Sequence, residues 1–112
     1  MKIYFAASIR GGRAEAVIYS KLIKLLQKHG TVLTEHIAAK NLDTLGESIL
    51  NDYDIHNRDM DWLLESDIVI AEVTNPSLGV GYEIGRAVEN HKKVVCLYRK
   101  QNNKKISAMI LG

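Results

Sequence analysis

Glu83 lies inside "NPSLGVGYEIGRA", residues 75–87, a glycine-spaced segment that otherwise reads as a helix packing on a sheet. Val80 three residues before it and Ala87 four residues after it put Glu83 on the inward stripe of that helix, so its carboxylate should look into a crevice. A surface glutamate would share the opposite face with Arg86 and Asn90. Asp59 sits one position from the apolar stripe of an earlier helix, with His56 at i−3 and Leu63 at i+4, and so also borders the interior. Its neighbours Asp54, Arg58 and Asp61 read as a solvated face. Two carboxylates brought to one crevice can divide a glycosidic cleavage between them, one as nucleophile and the other as acid.

A second set of residues has the character of an anion site. "SIRGG", residues 8–12, supplies the hydroxyl of Ser8, the guanidinium of Arg10 and the glycines Gly11 and Gly12, which expose backbone N–H groups just before a helix starts. Ser77 is placed as the N-cap of a second helix, where its hydroxyl and the helix dipole favour negative charge. A tight turn followed by an ordinary N-cap would use the same residues. Gly79, Gly81 and Gly85 are spaced G-x-G-x-x-x-G, which is not a dinucleotide fingerprint, and no nucleoside triphosphate loop is present. Close packing of helix on sheet accounts for Gly85 and in part for the other two.

Several chemistries are excluded or unsupported. His36, His56 and His91 follow no tight ligand spacing, and one cysteine cannot complete a thiolate set, so no metal is expected. No G-x-S-x-G nucleophile elbow is present. Cys96, in the apolar run "VVCLY", reads as a buried structural thiol. Fifteen Lys and Arg against thirteen Asp and Glu give a net charge of +2, which argues for neither a nucleic-acid polymer nor a membrane surface. "NPS" is not a glycosylation acceptor, because proline occupies its middle position. No signal-peptide pattern opens the sequence and no apolar run approaches the roughly 18 residues of a membrane span. The expected compartment is the cytoplasm, or the nucleus of a eukaryotic cell.

The elements that must position these residues alternate in type. The 112 residues, 46% of them hydrophobic, suffice for a single domain with a modest core. Strands are expected over residues 2–7, 31–36, 67–73 and 93–98. The third is nearly continuous in apolar residues, as a central parallel strand should be. The first helix carries the stripe Ile18, Leu22, Leu25, Leu26 and ends at a capping Gly30. A second helix over residues 49–64 carries Ile49, Tyr53, His56, Met60 and Leu63. A third runs from Leu78 to about His91, and "ISAMILG" starts a last one. This pattern predicts an α/β fold with a doubly wound open parallel sheet, Rossmann- or flavodoxin-like, built from right-handed crossovers. Ligands of such sheets bind beyond the carboxyl ends of the strands. Those ends hold "SIRGG", Glu35 with His36, and "TNPSLG".

Taken together, "YFAASIRGGR", "VLTEHIAA", "IHNRDMDWL", "SDIVIAEVTNPSLGVGYEIGRAV" and "ISAMI" resemble the 2′-deoxynucleoside 5′-monophosphate N-glycosidases, the Rcl-like branch of the nucleoside 2-deoxyribosyltransferase superfamily. The likeness covers almost the whole chain. It implies a single domain of that type over residues 1–112 and hydrolysis of deoxynucleotides to free base and 2-deoxyribose 5-phosphate, by a homodimer without cofactor. Position by position, it makes Glu83 the nucleophile at C1′, Asp59 the acid that assists the departing base, and Tyr4 the partner that positions Glu83. It assigns the phosphate to Ser8, Arg10, Ser77 and a Ser107 donated by the second subunit, with Gly12 and Gly79 in the same loops. It sets His36 near the base or sugar, and packing at Tyr4 and Ile9 is expected to leave no room for a 2′-hydroxyl. The family pattern adds a further strand and helix after "SAMI", so only four strands are visible here and the last family strand has no counterpart. A base-exchanging 2-deoxyribosyltransferase and a non-catalytic nucleotide-binding module are the competing readings.

Overall fold

The computed structural model describes residues 1–9, 12–35, 51–100 and 105–112, with the side chains of residues 12–14 outside that description. Four parallel strands, β1 (Lys2–Ala7), β2 (Thr31–Leu33), β3 (Ile68–Glu72) and β4 (Lys93–Leu97), form one sheet in the order β2-β1-β3-β4. Ile3 pairs with Val32 on one side and Ile68 on the other, and Ile68 pairs with Lys93. Helices α1 (Gly12–Gln27), α2 (Asp52–Glu65), α3 (Leu78–Glu89) and the short α4 (Ala108–Leu111) complete the described fold.

Side chains alternate across each strand and divide the core into two layers. Tyr4, Ala6, Val69 and Ala71 face Met60 and Leu63 of α2 and Val80 and Ala87 of α3. Ile3, Phe5, Ala7 and Ile70 face Tyr19 and Ile23 of α1. The chain reverses its direction of travel between β1 and β3, so the connections after these two strands leave to opposite faces. That switch point is where an open α/β sheet forms its crevice.

Local chemistry sets the element ends. Asn51 caps α2 by accepting the Asp54 N–H at 2.8 Å, and Ser66 closes it with its hydroxyl donating to the Leu63 carbonyl at 2.6 Å. Ser77 caps α3 as expected, accepting the Val80 N–H at 3.2 Å. Gly30 ends the turn after α1, and the reason for glycine is close approach: a Cβ there would collide with the carbonyl of Met1, which accepts the Thr31 N–H at 2.9 Å.

Four expectations are corrected. Strand β2 stops at Leu33, because buried Thr34 and the helical turn at Glu35 end the extended run before His36. Leu25 is 52% exposed; Leu22 and Leu26 of the expected stripe do pack on the core, but the buried positions of α1 are Tyr19 and Ile23. Tyr53 and His56 point outward from α2, whose buried face is Asp59, Met60 and Leu63, so a charged residue takes an inward place that an apolar count passes over. Cys96 is exposed, on β4 at the edge of the described sheet, where the apolar run reads as more buried than it is.

Candidate active site

Tyr4 lies in the middle of β1 and is almost fully buried, and its hydroxyl donates to Oε2 of Glu83 on α3. The strand fixes the phenol while the inward stripe of α3 fixes the carboxylate, as the positions of Val80 and Ala87 in the core require. Burial and the nearby carboxylate push the Tyr4 hydroxyl far above its ordinary range, so it remains a donor. Glu83 is raised to about 7: desolvation is the main cause, opposed by the Tyr4 hydrogen bond and reinforced by the negative charges of Asp59 and Glu35.

Asp59, 7% exposed, projects from α2 toward the same region and accepts a hydrogen bond from Arg58 Nε at 3.1 Å. Glu35, just beyond β2, stands 3.9 Å from the Arg58 guanidinium and close enough to Asp59 for the two carboxyls to influence each other. Its carboxyl is also raised to about 7, first by burial and then by Asp59, with Arg58 pulling the other way. Arg58 stacks over Trp62 at 4.9 Å, so it is half-buried among these acids. The expected solvated face therefore holds only for Asp54 and Asp61. Sequence reasoning missed Arg58, and it gave Glu35 no role beyond its place at a strand end.

A cavity of about 470 Å³ opens beside Glu83, lined by Ala7, Ser8, Ile9 and Glu35 on one side and by residues 76–80 on the other. Ser8 is 9% exposed at the end of β1, and Ser77 faces it from the N-terminus of α3. Because the Ser77 oxygen accepts from Val80, its O–H remains a donor toward the cavity. A Cβ on Gly79 would meet nothing closer than Ser77 Oγ at 3.9 Å, so the space over this helix end is open to a ligand. The arrangement brings an inward carboxylate and a serine-capped helix start to one small cavity. Gly12 begins α1, whereas Arg10 and His36 lie outside the described residues. Among the described residues, no group of three or more His, Cys, Asp and Glu could hold a metal ion.

The family profile described as nucleoside 2-deoxyribosyltransferase matches residues 3–109. The chain belongs to that family. Within it, the chain is 54% identical to a 5-hydroxymethyl-dUMP N-hydrolase of Tetraodon nigroviridis, over all of this chain and 80% of that protein. It is 53% identical to a protein of the same name from Esox lucius, over all of this chain and 79% of the relative. The 2-deoxyribosyltransferase of Bacillus psychrosaccharolyticus, a solved structure, superposes with a TM-score of 0.76 over 98% of this chain and 80% of that one, at 19% identity. That likeness bears on the fold, and it is the α/β sheet the sequence predicted.

Two further placements qualify the family reading. Ser107 is absent from the Glu83 cavity; it caps α4, accepting the Met109 N–H at 3.2 Å, and lines a separate, mainly apolar cavity of about 790 Å³. That second cavity lies between α3 and the chain's last residues and is walled partly by Gly81 and Gly85. A Cβ on either glycine would meet nothing within 4 Å, so packing of helix on sheet does not explain them, contrary to the sequence reading of Gly85. They face outward on α3 with exposed Leu78 and Val88. Among the described residues, no helix is long and apolar enough to cross a membrane.

Proposed function

We propose that this protein hydrolyses the N-glycosidic bond of 2′-deoxynucleoside 5′-monophosphates, releasing the base and 2-deoxyribose 5-phosphate. The observation that carries the reading is the Tyr4–Glu83 hydrogen bond at the wall of a cavity whose far side is a serine-capped helix N-terminus. The names of its family relatives agree with this chemistry and suggest 5-hydroxymethyl-dUMP as the first substrate to try.

In this mechanism the phosphate rests on Ser8, Ser77 and Arg10, with Gly12 and Gly79 leaving room for it, which holds C1′ in front of Glu83. The Glu83 carboxylate attacks C1′ as the bond to the base breaks, through an oxocarbenium-like transition state that its charge stabilises. Tyr4 keeps that carboxylate aimed and favours its ionised form. Asp59 gives a proton to the departing base; water then attacks C1′ of the glycosyl ester, its hydroxyl staying on C1′ and its proton passing to Asp59, which returns Glu83 to the carboxylate and Asp59 to the acid. A 2-deoxy sugar ionises readily because it lacks the electron-withdrawing 2′-hydroxyl. Crowding by Tyr4 and Ile9 excludes that hydroxyl, and His36 contacts the base or sugar. No cofactor takes part.

The domain works as a homodimer in which Ser107 of the partner subunit completes the phosphate site. The outward glycines of α3 and the mainly apolar cavity between them and residues 105–110 support this, since exposed Leu78, Gly81, Gly85 and Val88 give α3 a smooth apolar outer face. The test of the reaction is incubation of purified protein with each deoxynucleoside monophosphate, the matching ribonucleotide and the matching nucleoside, with free base measured by chromatography. Release from deoxynucleotides in water, unaccelerated by an added second base, is the expected result. Base exchange without net hydrolysis would make the protein a transferase, and no release would leave a nucleotide-binding module.

A further inference from the structure

Behind the phosphate end of the cavity lies a charged cluster that the reaction does not use. Glu72, the last residue of β3, is 2% exposed. Its Oε1 accepts the Thr74 N–H at 2.6 Å, and its Oε2 lies 3.9 Å from Nε of Arg99. Nη2 of Arg99 reaches both carboxylate oxygens of Glu15, at 2.6 and 2.5 Å, and its backbone N–H donates to Thr74 Oγ1 at 2.9 Å. Glu15 belongs to the first turn of α1, Thr74 to the connection that ends at Ser77, and Arg99 to the exit from β4. Arg99 thus joins the start of α1, which follows β1, to the end of β3 through its guanidinium, and to the connection after β3 through its backbone N–H. None of Glu15, Glu72 and Arg99 lines the Glu83 cavity.

We infer that Arg99, clasped by Glu15 and Glu72, is a positioning residue that sets the distance between the Ser8 and Ser77 halves of the phosphate site. The inference rests on the proposed function for the identity of the anion. Two carboxylates on one cation, one of them deeply buried, are a poor way to gain stability, because desolvation offsets most of the Coulombic attraction. They are an effective way to fix geometry. Glu72 folds the 74–77 connection back through the Thr74 N–H, while Glu15 holds the start of the helix that follows the 8–12 segment. If either tie is cut, the two hydroxyls no longer converge on one phosphate, and displacements of this kind weaken binding without touching Glu83.

The test uses Arg99→Met and Glu15→Ala, singly and together, with inorganic phosphate as the probe. Glu15→Ala keeps the helix propensity of α1 and leaves the Glu72–Arg99 pair in place, so it decides the matter even if Arg99→Met does not fold. Apparent phosphate affinity is read from the rise in thermal midpoint with phosphate concentration. Each single variant should need about tenfold more phosphate for the same rise, and the double variant no more than Arg99→Met alone, because without the guanidinium Glu15 has no contact left to lose. KM for a deoxynucleoside monophosphate should rise by a similar factor, with kcat and any slow cleavage of the unphosphorylated nucleoside within about threefold of the parent. Unchanged phosphate affinity, or equal losses on nucleotide and nucleoside, would overturn the inference. The phosphate readout needs no turnover, so weakened binding in variants of a protein that cleaves no deoxynucleotide supports the clasp while overturning the proposed function.

Discussion

At Glu83 two influences oppose each other, and their balance is measurable. Desolvation and the charges of Asp59 and Glu35 raise its carboxyl from 4.5 to about 7, while the Tyr4 hydroxyl pulls it down. A nucleophile must be ionised, so kcat/KM should rise with pH through a midpoint near 7. Tyr4→Phe removes the group that favours the carboxylate, so its rising limb should move to higher pH and kcat should fall. A pH profile with an unmoved limb in the folded variant would deny Tyr4 that role. The sign for stability is the reverse. Between 4.5 and about 7 the folded chain binds the proton that the unfolded chain has released, so the Glu83 contribution to stability falls as pH rises through that window. Sequence spacing alone put Glu83 on the inward stripe of its helix and Asp59 one position from another, at the border of the interior where it lies buried. It could not find Arg58, whose burial depends on Trp62 beside it and on Glu35 from another element. Nor could it find the Glu15–Arg99 contact, which joins residues far apart in the chain.

Among the elements, the strands were the most legible. β1 was placed to the residue, and β3 and β4 to within one, because their apolar runs stop at polar residues, whereas β2 ended three residues before the expected 36. Helix faces were less so: Leu25 and Tyr53 fit an apolar periodicity yet face solvent, since the core also takes Tyr19 and Asp59. Helix ends carry their own physics. α3 ends at Glu89, followed by Asn90 as C-cap and by His91 with φ 60°, a left-handed conformation that costs a residue with a Cβ about 1 kcal/mol. His91→Gly should therefore stabilise the protein by about 1 kcal/mol and raise its thermal midpoint by about 4 °C. A midpoint unchanged or lowered in thermal denaturation would contradict this account of the helix end.

For the molecule as a whole, the proposed reading gives α3 two faces with two tasks. Its inner face carries Glu83 to the cavity, and its outer face, with Gly81 and Gly85, is the surface assigned above to the second subunit. Gly85→Leu separates the two. Within one chain a Cβ at this position meets nothing within 4 Å, and leucine improves helix propensity by nearly 1 kcal/mol over glycine, so the fold should persist. Sedimentation should show monomer where the parent is dimer, and activity per chain should drop. A dimer of full activity would remove α3 from the interface. The central claim, that Glu83 cleaves a deoxynucleotide, is tested most directly by base release from 5-hydroxymethyl-dUMP by the parent protein and by Glu83→Gln under identical conditions. The account predicts free base and 2-deoxyribose 5-phosphate from the parent and none above background from the folded Gln variant. Equal release by both proteins would contradict it.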